Sequence, residues 1–180
     1  MINPDQLFHL YTGRCVRPVQ LRAHHVDIKD IARSLSMQCR FLGHVTKFYS
    51  VAEHCWHASY RVEKGWEREA LLHDAAECYM GDMIRPWKST EDLGWEFRKQ
   101  ERKVEAMLAE HFDISYPMAE PVRLIDNLLL RAEQYVLQQW PQGRPKAPAL
   151  VVNLHCWPPG MAEEMFLARY HELEQARTRA

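Results

Sequence analysis

The pair His73-Asp74, in the run Ala70-Leu71-Leu72-His73-Asp74-Ala75-Ala76-Glu77, constrains the fold more than any other feature of this chain. Two strong metal-ligand types stand side by side in an apolar helical stretch, where an uncompensated charge is costly. His54 lies upstream, in Ser50-Val51-Ala52-Glu53-His54. Asp126 lies downstream, flanked by Leu124, Ile125, Leu128, Leu129 and Leu130. The sequence separations put these groups on three different helices. Such helices satisfy them together by projecting two imidazoles and two carboxylates inward onto one divalent ion. The expected architecture is therefore all-α, its helices projecting these groups onto one metal site, with one or two short strands.

The chain has ten histidines, so context must select among them. His57, one turn beyond His54, is a rival ligand and ranks below it as an orienting or surface residue. Imidazole and carboxylate suit manganese, iron, cobalt or zinc better than calcium. Four protein ligands on an octahedral ion leave about two positions for water or substrate oxygens. Hydrolysis of a phosphate ester by a metal-activated water is the leading expectation. Glu77 follows His73 by four residues and Asp74 by three, so it shares their helix face and is a candidate for proton transfer. Asp82, just past Gly81, is a second candidate, balanced against a role as a turn residue. Arg40, Lys47, Arg85 and Lys88 flank these motifs and fit an anionic substrate. Phe41, Trp87 and Trp95 are candidates to stack on a base.

At 180 residues the chain fits a single domain, 1–180, with room for a hydrophobic core. Its formal net charge of −1 argues against a nucleic-acid polymer as partner, since such binding rests on phosphate neutralisation. A small basic pocket for one nucleotide remains compatible with it. Five cysteines, odd in number and without a Cys-x-x-Cys pair, point to a reducing cytoplasm. No run approaches the roughly 20 apolar residues of a membrane span. Met1 to Asp5 does not read as a signal peptide, lacking a basic segment before an apolar one.

Met1 to Val26 reads as irregular or short-stranded. Asp27 caps a helix ending near Cys39, and Arg40 to Val45 reads as a loop or short strand. Ser50 and Glu53 form a capping box for a helix to about Val62. Further helices are expected over 67–78, 90–112, 118–140 and from Pro159-Gly160 to about Ala176. Arg85 to Lys88 reads as a constrained loop. Pro141 to Pro148 is a connector, and Leu150 to Leu154 an edge strand.

Taken together, these motifs resemble those of the HD-domain metal-dependent phosphohydrolases, over roughly Tyr11 to Tyr170. The likeness is carried by Ser50 to His54, Leu71 to Glu77, Gly81-Asp82-Met83-Ile84-Arg85-Pro86-Trp87-Lys88 and Asp126. Tyr11-Thr12-Gly13-Arg14 and Arg40-Phe41-Leu42-Gly43-His44 look like the phage branch of the small nucleotide phosphohydrolases. The resemblance implies a helical bundle around a central metal site, in which His54, His73, Asp74 and Asp126 hold one cobalt, manganese, zinc or iron ion, with a second, magnesium-like ion on the phosphates. It implies that Glu77 and Asp82 are the acid/base pair. By the same resemblance Arg40 and Lys88 grip phosphate, Phe41 and Leu42 touch the base, and the chain assembles as a dimer or hexamer. The activity it implies first is dATP triphosphohydrolase, giving deoxyadenosine and triphosphate. The alternatives are a 5′-deoxynucleotidase releasing orthophosphate, and a nucleotide-binding module without turnover. Cyclic-dinucleotide phosphodiesterase is disfavoured by the lack of a downstream Gly-Tyr-Pro motif.

Overall fold

Asp27 opens the helical part of the chain. Its backbone is extended and its carboxylate accepts from the Lys29 N–H, capping α1 (Ile28–Met37) as expected. Ile31, Ala32 and Leu35 recur at helical spacing and are fully buried. The computed structural model describes residues 7–17 and 20–179, so the reading of Met1 to Asp5 lies outside the described residues. Before α1, β1 (Phe8–His9) and β2 (Cys15–Val16) pair antiparallel, with Phe8 opposite Val16. Thr12, in the turn between them, donates from its backbone N–H and its hydroxyl to the buried Asp30 carboxylate, tying the hairpin to α1.

The central post is α2 (Val51–Ser59), where every residue but Trp56 is buried. Ser50 caps it, accepting from the Glu53 N–H at 3.1 Å. The other half of the expected capping box does not form. The Glu53 carboxylate instead accepts from the backbone N–H groups of His155, Cys156 and Trp157 at 2.8–2.9 Å. A buried carboxylate needs several donors, and this distant loop supplies more than its own helix end could.

The helix expected over 67–78 is interrupted at the His73-Asp74 pair. α3 (Glu67–Leu72) gives way to i→i+3 bonds through Ala75, Glu77, Cys78 and Tyr79, and α4 (Glu77–Met80) follows. Tightened turns of this kind often mark functional positions in a helix. Gly81, at φ 80°, ends α4 in a conformation open to glycine. Arg85 to Lys88 is not a loop but one helical turn, α5 (Arg85–Lys88), with Pro86 in its first turn where no N–H is needed. Then come α6 (Leu93–Phe112), α7 (Glu120–Leu137) and α8 (Pro159–Arg179). The expected strand at Leu150 to Leu154 does not form. Val152 is buried and Leu150 and Leu154 pack partly against the same cluster, while Val151 stays 90% exposed, but among the described residues the segment has no strand neighbour.

The structure is thus mainly helical with one two-stranded hairpin. α2 packs against α1, α3, α7 and α8. The larger apolar cluster joins α1, α2, α6 and α8, and a smaller one joins α2 and α3 to α7. His54, His73 and Asp126 come from α2, the end of α3 and α7, at the meeting of these clusters. Among the described residues no helix is long and apolar enough to cross a membrane. All five cysteines are free.

Candidate metal centre and cleft

His54 sits in the second turn of α2, fully buried. Its Nδ1 meets the Glu133 carboxylate at 2.6 Å. His73 is held through Nδ1 by the Ala70 carbonyl at 2.8 Å. When each Nδ1 carries the proton it donates, each Nε2 presents a lone pair, and the two Nε2 atoms lie 3.2 Å apart. Asp126 Oδ1 is 3.3 Å from His54 Nε2 and 4.0 Å from His73 Nε2. Asp74 Oδ2 is 3.3 Å from His73 Nε2 and 3.8 Å from His54 Nε2.

Lone pairs and carboxylate oxygens so close repel unless a cation lies among them. Ligands at about 2.1 Å from one ion, at angles between octahedral and tetrahedral, are about 3.0–3.4 Å apart. Three of the five separations, 3.2, 3.3 and 3.3 Å, fall within that spacing and the other two, 3.8 and 4.0 Å, are wider, so the donor set can be drawn onto a divalent transition ion. His54, His73 and Asp74 form a group able to hold a metal ion, and Asp126 adds a fourth candidate ligand atom at its edge. His57, the rival ligand, is turned elsewhere: its Nδ1 meets Arg61 and its Nε2 lies 3.5 Å from Glu53.

Burial and Arg40 would each lower the His54 pKa, but Glu133 and Asp126 outweigh them and raise it to about 9. A proton thus stands in for the cation when no metal is bound. The Asp126 carboxyl is held far below the usual range by His54 and His73, against the effect of burial.

The ligands open into a cleft of about 410 Å³, within the usual range for a small-molecule site. Glu77 is almost completely buried beside it, and its Oε2 has no hydrogen-bond partner. Burial first, then Asp74 and Asp82, push its pKa well above the ordinary carboxyl value. Asp82 is also raised, by burial and Asp74, against the pull of Arg40. Gln38 clamps both: its amide donates to the Glu77 carbonyl and its oxygen accepts from the Asp82 N–H.

Arg40 is buried. Its Nε and one terminal nitrogen donate to Glu133 at 3.1 Å, and its other terminal nitrogen lies 3.6 Å from Asp74. Lys88 lines the cleft from α5 and pairs with Glu101 at 2.6 Å. Phe41 is on the cleft wall; Leu42, the other residue expected to touch the base, is not on it and stands 53% exposed. Trp87 and Trp95 are likewise exposed and outside the cleft wall.

One contributor escaped the sequence reading. Glu133 lies two turns after Asp126 on α7 and joins His54, Arg40 and the Tyr49 hydroxyl, which donates to it at 2.9 Å. Against the effect of burial, Arg40 and His54 hold its carboxyl down to about 2. Its seven-residue spacing from Asp126 was the available signal. Arg85, noted only as a flanking charge, donates to Asp126 Oδ2 at 2.7 Å and to Asn127 at 2.6 Å from the cleft mouth.

The chain is 36% identical over 174 residues to the uncharacterized protein YfdR of Escherichia coli K12, spanning 93% of this chain and 95% of that one. It belongs to the YfdR family. A second YfdR-like relative, an uncharacterized protein of Rhodobacter capsulatus, is 29% identical over 170 residues, covering 82% of this chain and 85% of its own. No protein-family model matches the chain.

Proposed function

We propose that this protein is a metal-dependent phosphohydrolase of the HD-domain type acting on deoxynucleotides. The observation that carries this reading is the group of three ligand atoms from His54, His73 and Asp74, with Asp126 at its edge, beside a cleft lined by a buried partnerless carboxyl and three cations. His54, His73, Asp74 and Asp126 would hold the ion. When bound, it would supply a Lewis acid that makes water more acidic and withdraws charge from a phosphate.

The chain's own groups do the rest. Arg40, anchored on Glu133, presents one guanidinium edge to the phosphate oxygens. Lys88 adds a second cation. Asp82, balanced by Arg40, accepts the proton of the attacking water. Glu77 stays protonated in its buried position and delivers its proton to the departing 5′ oxygen. The P–O bond to that oxygen breaks as the bond to water's oxygen forms.

The sequence ranks dATP triphosphohydrolase first. The cleft's charges favour the 5′-deoxynucleotidase alternative. Arg40, Arg85 and Lys88 each already face a carboxylate, and the wall carries Asp74, Glu77, Asp82, Glu101, Glu105 and Asp126. A dianionic monophosphate suits that balance better than a triphosphate, unless a second, magnesium-like ion accompanies the longer chain.

Metal-stripped protein reloaded with cobalt or manganese would be incubated with each deoxynucleoside mono- and triphosphate, and the anions resolved. Orthophosphate from monophosphates supports the nucleotidase. Intact triphosphate from dATP supports the triphosphohydrolase. No turnover with any nucleotide and metal would leave a binding module. Asp82→Asn separates catalysis from binding, because it should keep nucleotide affinity and lose turnover.

A further inference from the structure

The cleft does not end at the metal ligands. Two of its wall residues, His44 and Gln138, also line a groove of about 520 Å³ that continues outward. One wall of this groove is the segment Gly43 to Thr46, and the other is the C-terminal end of α7 with Gln139. The walls are pinned to each other, since the Thr46 N–H donates to the Leu137 carbonyl at 2.8 Å.

The turn that leads into the first wall is strained. Phe41 and Leu42 have φ of 58° and 54°, and Gly43 follows at 77°. Left-handed backbone is costly for a non-glycine residue. Two such residues in succession persist only where the surroundings enforce them, and such strain gathers at ligand sites. Here the turn carries the chain from Arg40, at the phosphate end, to His44, at the start of the groove.

A substrate whose phosphate lies at the metal centre must send its other end somewhere. In the opposite direction, beyond His73 and Met118, the cavity is apolar and only about 50 Å³, room for little more than ordered water. The groove past His44 is large enough for a heteroaromatic ring. Its lining also has the right chemistry. Gln134 stands in the last turn of α7 and Gln138 caps that turn, its N–H donating to the Gln134 carbonyl, and both line the cleft. A carboxamide offers a donor and an acceptor in one plane, which matches the hydrogen-bonding edge of a base. The amide of Gln38, by contrast, is spent on Ser34, Glu77 and Asp82.

We propose that this groove is the nucleobase subsite, with the base beside the His44 ring and its edge read by the Gln138 and Gln134 amides. The inference rests on the deoxynucleotide reading above, because a phosphate in the cleft fixes one end of the ligand.

The test uses the full-length cobalt-loaded protein and the variants Gln138→Ala and His44→Ala. Substrates are the four deoxynucleotides in whichever phosphorylation state is turned over, and deoxyribose 5-phosphate, which lacks a base. In Gln138→Ala, KM for the preferred nucleotide should rise about tenfold and the spread of kcat/KM among the bases should shrink. KM for deoxyribose 5-phosphate should not move. An equal loss on deoxyribose 5-phosphate, or an unchanged base preference in both variants, overturns the subsite. If wild type hydrolyses nothing, the activity reading falls and titration calorimetry with dAMP decides the subsite alone. Weaker binding in either variant then supports it. Unchanged binding in both, or no binding by wild type, overturns it.

Discussion

Glu133 touches no substrate position, yet it sets three groups at once. Its carboxylate meets His54 Nδ1, accepts from Arg40 and accepts from the Tyr49 hydroxyl. The contact with His54 would fix which imidazole nitrogen faces an ion, and such support is commonly worth 10–100-fold in metal affinity. The contact with Arg40 compensates a buried guanidinium. Removing one partner of a buried pair costs about 3–5 kcal/mol, because the other charge is left alone. Glu133→Gln keeps the shape and an acceptor while losing the charge. It should weaken metal binding about 10–100-fold, read by titrating apo protein, and raise KM for nucleotide. Metal affinity equal to wild type would remove Glu133 from the site's support. The candidate metal ligands stand out in the sequence because each is a charged or polar group framed by apolar neighbours. Glu133 lacks that frame: Arg131 and Gln134 beside it make the stretch look like a solvated helix face.

The same contrast between local and distant partners governs the elements. Ser50 and Glu53 match the capping-box pattern, and Ser50 does cap α2. Glu53 departs from it because its donors come from about a hundred residues downstream, which no local pattern records. Glu53→Ala would strand three backbone donors and should cost about 3–5 kcal/mol, with faster amide exchange at His155 to Trp157. Glu53→Gln should cost less, since two of the three donors meet Oε1, which an amide oxygen can replace. Equal melting temperatures for wild type and Glu53→Ala would contradict this anchor. A second element-level constraint lies between α5 and α6. A Cβ at Gly94 would come within 2.5 Å of the Trp87 carbonyl oxygen and 2.6 Å of that of Lys88. In an open helix, alanine would gain about 1 kcal/mol over glycine. Here backbone overlap should reverse the sign, destabilising by about 1–3 kcal/mol. Because the clash displaces the turn carrying Lys88, Gly94→Ala should also raise nucleotide KM severalfold while metal affinity holds. A melting temperature above wild type would mean that α5 yields freely. Arg85 to Lys88 read as a loop because four residues around a proline carry too little periodicity to signal a turn that packing against α6 completes.

Across the whole molecule, the candidate centre is where three distant parts of the chain are joined. His54 comes from α2, His73 and Asp74 from the end of α3, and Asp126 from α7. Without an ion, two carboxylates and two imidazoles crowd within a few ångströms, and a proton on His54 is the partial remedy. With an ion, that repulsion becomes attraction across all three elements. A ligand that binds only the folded state at about 100 times its dissociation constant stabilises by about 2.7 kcal/mol. For a chain of this size that corresponds to a rise of about 5–10 °C in melting temperature. Chelator-treated protein should therefore melt about 5–10 °C below protein reloaded with cobalt or manganese, and the shift should reverse on re-addition. Asp126→Asn should lose most of the shift, because it removes a charged ligand. Glu77→Gln should keep it, because Glu77 lies beside the ligand set and not within it. A shift that survives in Asp126→Asn and in His73→Ala alike would place the stabilising ion somewhere other than this centre, and the proposed hydrolase would lose its metal.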